Sequence, residues 1–92
     1  MIKKISVTAD EHEQLVDITF EIKQFVKESN ILEGRITVFI PHTTAAVTIN
    51  ENADPDVEHD FFLKLNKMVP YNENGYLHAE GNSDSHLKTS LL

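Results

Sequence analysis

The first pattern in the sequence is a set of short stretches in which apolar and polar residues alternate or β-branched residues cluster. They cover residues 3–8, 14–16, 35–40 and 45–50. Alternation with a period of two places successive side chains on opposite faces of an extended chain, so these stretches predict β-strands. Pro41 ends the third stretch, and a short polar segment joins it to the fourth. We therefore expect these segments to form a sheet.

A second pattern, with apolar residues three or four positions apart, predicts a helix over residues 17–29. Asp17 is the expected N-cap, because its carboxylate can accept hydrogen bonds from the free amides of the first turn. The helix is expected to end near Asn30. Its predicted buried face consists of Ile18, Ile22, Phe25 and Val26.

The clearest predicted helix comes next and has signals at both ends. Asp54 is the expected N-cap, and Pro55 stands at the first helical position, where proline is favoured. Pro70 prevents the helix from continuing. Its predicted buried stripe consists of Val57, Phe61, Leu65 and Met68.

A last helix is predicted over residues 83–91, with Asn82 as its cap. Leu87, Leu91 and Leu92 then fall on one face, which the rest of the chain is too short to cover. We expect these leucines to present apolar surface that needs a partner.

Composition and charge restrict the class of protein. The chain has 92 residues, no cysteine and a net charge of −7, so we expect a single domain over residues 1–92 with neither a disulfide framework nor a thiolate site. The absence of a basic stripe argues against nucleic acid as a partner. No apolar run approaches the ~20 residues of a membrane span, and none resembles a signal peptide. We expect a soluble cytoplasmic protein with no membrane partner.

Histidine is the most informative polar residue type. The five histidines are His12, His42, His59, His78 and His86. Two of them, His12 and His59, lie in polar or solvent-facing positions and are expected at the surface. The other three lie at the ends of predicted elements, where sites are usually built. Imidazole is a common metal ligand, so these three are candidate ligands; the alternative is that they are unrelated polar residues, because their spacing matches no metal motif.

A carboxylate cluster precedes the second long helix. Capping accounts for Asp54, and the helix dipole accounts for Asp56. Neither explains Glu51, which follows a predicted strand. Glu51 is a candidate to hold a cation, orient a histidine or take a proton; the alternative is a solvated loop residue.

Three segments together resemble the YjbQ-type family, often named secondary thiamine-phosphate synthase enzymes. They are the run HTTAAVTINENADPDV at 42–57, HAEGN at 78–82 and HLKTS at 86–90. Asp17-Ile18-Thr19 also matches. The resemblance covers essentially the whole chain in the same order.

The resemblance implies an α+β fold, with a mixed or antiparallel sheet and two main helices, and a homotrimer. Family members continue beyond the Lys-Thr-Ser motif with further strands, so the chain is expected to be an N-terminal part of a longer domain. The family motifs place His42, His78 and His86 in the site, and Glu51, Asp54 and Asn82 also fall on motif positions.

The function implied by the resemblance is that of a thiamine-phosphate synthase, which joins a pyrimidine diphosphate to a thiazole phosphate. The expected partner is a small-molecule phosphate, with zinc or magnesium as a divalent cofactor. The alternatives are another metal-dependent hydrolase and a non-catalytic trimeric protein that binds metal or phosphate. The expected residues are Glu51 and His42 for catalysis, Thr43, Asn82 and Lys88 for phosphate, and His42, His78 and His86 for the metal.

Overall fold

A computed structural model describes all 92 residues and contains three helices. They are α1 (Thr19–Ser29), α2 (Pro55–Met68) and α3 (Ser83–Leu91). None of the three helices combines the length and the hydropathy of a membrane-spanning helix. The chain divides into two compact units, Met1–Thr37 with α1 and Val38–Leu92 with α2 and α3. The single domain expected over residues 1–92 stays a prediction.

Helix α1 begins at Thr19, one residue later than a cap at Asp17 predicts. Its N-cap is Ile18 rather than Asp17. The Asp17 carboxylate still accepts a hydrogen bond from the Thr19 amide, at 2.8 Å, but from one position before the cap. Asn30 ends the helix with a left-handed φ of 58°, and its amide donates to the Lys27 carbonyl at 3.3 Å. Asparagine tolerates this conformation, which explains why the helix ends where predicted.

Helix α2 confirms the predicted cap. The Asp54 carboxylate accepts a hydrogen bond from the Asp56 amide at 2.9 Å, and Pro55 is the first helical residue. At the other end, the Val69 amide donates to the Leu65 carbonyl at 2.8 Å. Pro70 has no amide hydrogen to extend this series. Local chemistry therefore sets both ends of α2.

The buried face of α2 is narrower than the predicted stripe, because Leu65 is the only one of the four predicted residues that is buried. Leu65 and Val69 are each only 8% exposed and form the apolar core of the second unit. Phe61 is half-buried and meets Phe62 edge-to-face, with ring centroids 5.3 Å apart. Met68 is 59% exposed, so its predicted burial is wrong. The chain leaves the helix at Val69, and that residue takes the inward position instead.

Asp54→Ala is expected to reduce the free energy of unfolding by about 1 kcal/mol, because the variant lacks the side-chain acceptor for the Asp56 amide. Urea titration followed by circular dichroism measures this change. Asp54→Asn is the matched control, since its amide oxygen can still accept the hydrogen bond. An equal loss in both variants would contradict the capping role.

The predicted sheet is wrong, because no residue of the chain lies in a strand. The expected α+β fold class is corrected to three helices joined by irregular segments. A strand exists only through hydrogen bonds to a neighbouring strand, and alternation within one segment does not provide that neighbour. Phe39 and Ile49, in two of the alternating segments, are 77% and 98% exposed. The alternation of apolar and polar residues therefore indicates side chains that are suited to burial. It does not determine which backbone segments pair through hydrogen bonds.

Helix α3 starts after Asn82, as predicted, and its leucines are exposed. Leu87, Leu91 and Leu92 are 47%, 58% and 47% accessible. The expectation of uncovered apolar surface on this helix is confirmed. The homotrimer that would use such surface stays a prediction.

Candidate histidine site

The loop between α2 and α3 is folded into two hydrogen-bonded turns. The Tyr76 amide donates to the Glu73 carbonyl at 3.2 Å, and the Gly81 amide donates to the His78 carbonyl at 3.1 Å. Gly75 and Gly81 have positive φ values of 107° and 70°, a conformation in which a side chain is disfavoured. These turns place His78 close to the start of α3.

His78 and His86 come together although eight positions separate them in the sequence. Their ring centroids are 5.3 Å apart, with an interplanar angle of 84°. His78 lies on the loop and His86 on α3. The Nε2 atom of His78 is 3.9 Å from a carboxylate oxygen of Glu80, which is 74% exposed. Such an exposed and distant carboxylate orients the ring only weakly.

A small polar pocket of about 250 Å³ lies beside His78. It is smaller than the pockets that bind drug-sized ligands. Glu73 is its one carboxylate, and no lysine or arginine lines it. The other lining residues are Tyr71, Asn72, Asn74, Tyr76, Gly81 and Ser83. The pocket therefore offers many neutral hydrogen-bonding groups and no fixed positive charge.

Tyr76 forms part of the pocket wall. Its hydroxyl donates to the Pro70 carbonyl at 3.2 Å, which ties the loop to the end of α2. Burial raises the pKa of the Tyr76 phenol above its usual value, and the charges of Glu73 and Asp84 raise it further, while Lys88 opposes them. A phenol is protonated at neutral pH even without this shift, so the Tyr76 hydroxyl is available as a donor to the Pro70 carbonyl.

Lys88 and Asp84 form a buried ion pair on α3. The Lys88 ammonium lies 2.9 Å from a carboxylate oxygen of Asp84, and their side chains are 8% and 0% exposed. The ammonium also donates to the side-chain oxygen of Asn66 on α2 at 2.8 Å. The sequence predicts that Lys88 binds phosphate, but its ammonium donates to Asp84 and Asn66 within the protein. Its role with a ligand stays a prediction.

Asn82 stands where the loop meets α3. Its carbonyl accepts a hydrogen bond from the Ser85 amide at 3.1 Å, but its side chain makes no capping bond. The side-chain oxygen is buried without a hydrogen-bond partner, and such an acceptor costs about 1–3 kcal/mol. The role of Asn82 in binding a ligand stays a prediction, and its side-chain oxygen is available to accept a hydrogen bond.

The remaining predicted residues do not join this cluster in a metal-binding arrangement. His42, Thr43 and Glu51 are exposed in the segment before α2. No three histidine or carboxylate side chains of the chain are grouped so that they could hold a metal ion. The prediction that this is a metal-binding protein is therefore wrong, because the side chains that could bind a metal ion are not grouped together. A zinc or magnesium cofactor stays a prediction without a donor set to support it.

His59 occupies the surface position expected from the sequence. Its Nδ1 atom is 2.9 Å from a carboxylate oxygen of Asp60, and both side chains are more than 70% exposed. It borders an open groove of about 650 Å³ along α2. Glu58 and Lys67 line the groove together with His59, and the apolar side chains of Phe62 and Leu63 complete much of its wall.

Sequence reasoning missed Asp84, Asn66 and Tyr76. One signal was available for Asp84, because it stands four residues before Lys88, a spacing that brings opposite charges together on a helix. That spacing is usually found on solvated faces, and nothing local indicates burial. Asn66 carried no signal, since its partner is 22 positions away.

The fold defined by these helices and loops is that of YjbQ-like proteins. The crystal structure of an uncharacterized conserved protein of the YjbQ/UPF0047 family from Clostridium acetobutylicum superposes with a TM-score of 0.87 and 47% identity. The match covers 92% of this chain and 65% of that one. The family model described as UPF0047 protein YjbQ-like matches residues 3–92. The chain belongs to this family, which confirms the resemblance.

Similar proteins occur in distant organisms. A UPF0047 protein of Methanocaldococcus jannaschii is 46% identical over the whole chain, which spans 66% of that protein. The UPF0047 protein YugU of Bacillus subtilis is 38% identical over the whole chain, which spans 70% of it. The chain thus spans about two thirds of the length of these relatives.

The thiamine-phosphate synthase prediction is corrected by these comparisons. The matching family and relatives are described only as UPF0047 or YjbQ-like proteins, and none is described by that activity. The pocket agrees with the correction, because a diphosphate substrate calls for positive charge or a metal, and no lysine or arginine lines it. The metal-dependent alternatives lack a ligand set as well.

Proposed function

We propose that the second unit binds a small, uncharged polar molecule in the pocket beside His78, with His78 and His86 as its principal hydrogen-bonding groups. The contact between the two imidazole rings, whose centroids are 5.3 Å apart, carries the proposal, because it places the His86 ring of α3 against His78, which lines the pocket. Each neutral imidazole offers one donor and one acceptor. The pair is therefore suited to hydroxyl, carbonyl and amide groups.

The charge of the pocket disfavours an anionic ligand. Glu73 is the one carboxylate that lines the pocket and repels anions, and the nearby Asp84 carboxylate is neutralised by Lys88. Tyr76, Asn72 and Asn74 add neutral donors and acceptors. His78 and His86 are also suited to general acid–base catalysis, since histidine gives and takes protons near neutral pH. We propose the cytoplasm as the location, because a cysteine-free chain has no need of an oxidising compartment.

The proposal is tested by nuclear magnetic resonance of the imidazole protons during titration with small probes. The probes are polyols, small amides and hydroxy-carbonyl compounds, with acetate and inorganic phosphate for comparison. We expect saturable shifts of His78 and His86 signals with at least one uncharged probe. His78→Gln and His86→Gln are expected to weaken that binding about tenfold or more, because each removes a hydrogen bond at the ligand.

His59→Gln is the matched control, since this exposed histidine lies on α2 beside Asp60, and it is expected to bind like the unaltered protein. Absence of shifts with every uncharged probe would overturn the proposal. Shifts with inorganic phosphate alone would overturn it too and would favour the phosphate-bearing partner implied by the family resemblance.

A further inference from the structure

The buried ion pair on α3 is costly for so small a core. Asp84 is fully buried and the Lys88 side chain is 8% exposed, and withdrawing each charge from water costs several kcal/mol. Well-packed apolar side chains often stabilise a fold as well as a buried ion pair does. The core beside the pair has only Leu65 and Val69 as buried apolar residues. Stability alone therefore does not explain two charges in this position.

The ion pair adds a directional hydrogen bond between α3 and α2. The Lys88 ammonium donates both to Asp84 at 2.9 Å and to Asn66 on α2 at 2.8 Å. Hydrogen bonds are directional, whereas apolar contacts are not. A rotation of α3 about its axis would break the bond to Asn66, so this bond restricts the rotation of α3 relative to α2.

His86 lies between the two charged residues on the same helix, two positions from each. At about 3.6 residues per turn, a rotation of α3 moves the His86 ring as it moves the ammonium. The charge of Asp84 also raises the pKa of the Tyr76 phenol in the pocket wall. The pair thus connects α2 to the helix that carries His86.

We propose that Asp84 and Lys88 are positioning residues, whose buried ion pair fixes the rotation of α3 against Asn66 and so holds the His86 ring in its T-shaped contact with His78. The role of the pair in ligand binding rests on the proposed function. The position that the pair gives to the His86 ring is a property of the ligand-free protein and can be tested without a ligand.

The experiment replaces the ion pair with apolar side chains in the variant Asp84→Met/Lys88→Met. We expect a urea midpoint at or above that of the unaltered protein. We also expect loss of the nuclear Overhauser contacts between the His78 and His86 rings, and affinity for the bound uncharged probe lower by about tenfold or more. Retained ring contacts in the folded double variant would overturn the proposal.

A second set of variants keeps the test decisive if the double variant fails to fold. Asn66→Ala removes only the acceptor on α2, and we expect weakened ring contacts. Asn66→Asp retains an acceptor for the ammonium and is expected to restore them. Lys67→Ala, at the neighbouring exposed position of α2, is the matched control and should leave them unchanged. Equal ring contacts in all three variants would overturn the proposal.

The two proposals fail in distinguishable ways. If the unaltered protein binds no uncharged probe, the proposed function fails, while the ring contacts of the ligand-free variants still decide the positioning role. If the probe binds and the ring contacts do not respond to Asn66 or to the ion pair, only the positioning role fails.

Discussion

Lys88→Met is expected to destabilise the second unit by about 3–5 kcal/mol, since it leaves the Asp84 charge buried after removing its ammonium partner. Asp84 is fully buried, so solvent cannot replace the lost ion pair. Methionine has a similar length and retains the apolar contacts of the lysine stem. The loss of unfolding free energy therefore measures mainly the cost of leaving the Asp84 charge unpaired.

The free energy of unfolding from urea titration measures this loss. Lys67→Met is the matched control, because it removes a lysine from an exposed position of α2 and should change stability by less than about 0.5 kcal/mol. A loss below about 1 kcal/mol in Lys88→Met would match an exposed ion pair and would contradict the burial of Asp84 and Lys88.

Leu65→Ala is expected to have the second large effect, about 2–5 kcal/mol, through lost apolar burial and the cavity left behind. Leu65 is 8% exposed and is one of two buried apolar residues in the chain, so few neighbours can move to fill the space.

Leu63→Ala on the same helix is the control for Leu65. Leu63 is 50% exposed, and its truncation removes much less buried surface. Urea titration of both variants should give clearly different midpoints. Similar losses would mean that helix propensity or residual structure in the unfolded chain, rather than core packing, determines the effect of Leu65.

The helices were predictable because their signals are local. Asp54 and Pro55 start α2, and Pro70 stops its continuation, through groups within a few positions of each other. Asn30 ends α1 for a similarly local reason. The one-residue error at Asp17 arose because an aspartate can accept an amide hydrogen bond from the position before the cap as well as from the cap.

The sheet was not predictable in the same way. Residues 35–40 and 45–50 have the composition of strands, but strand pairing depends on a second segment at hydrogen-bonding distance. Phe39 and Ile49 remain exposed, as expected of apolar side chains whose alternation is not matched by a covering layer. A period of two thus indicates a capacity to pair, and the partner decides the outcome.

Part of the candidate site was visible in the sequence. His78 and His86 flank a glycine-containing loop at the ends of predicted elements, and the structure brings their rings together. His42 also lies at the end of a predicted element, yet it does not complete a metal-binding group with them. A position at the end of a helix or strand indicates that a residue can belong to a site. It does not indicate which of these ends lie close together in the fold.

By itself, the sequence determined the places of α1, α2 and α3, the cap at Asp54 and the two histidines that flank the loop, because each depends on side chains acting on backbone a few residues away. Only the tertiary structure decided that the His78 and His86 rings meet and that the pocket lacks positive charge. It also decided that Asp84 and Lys88 are buried against Asn66. Burial and ring contact depend on how the loop and α3 pack beside α2, and that packing is a sum of long-range interactions which no local spacing records.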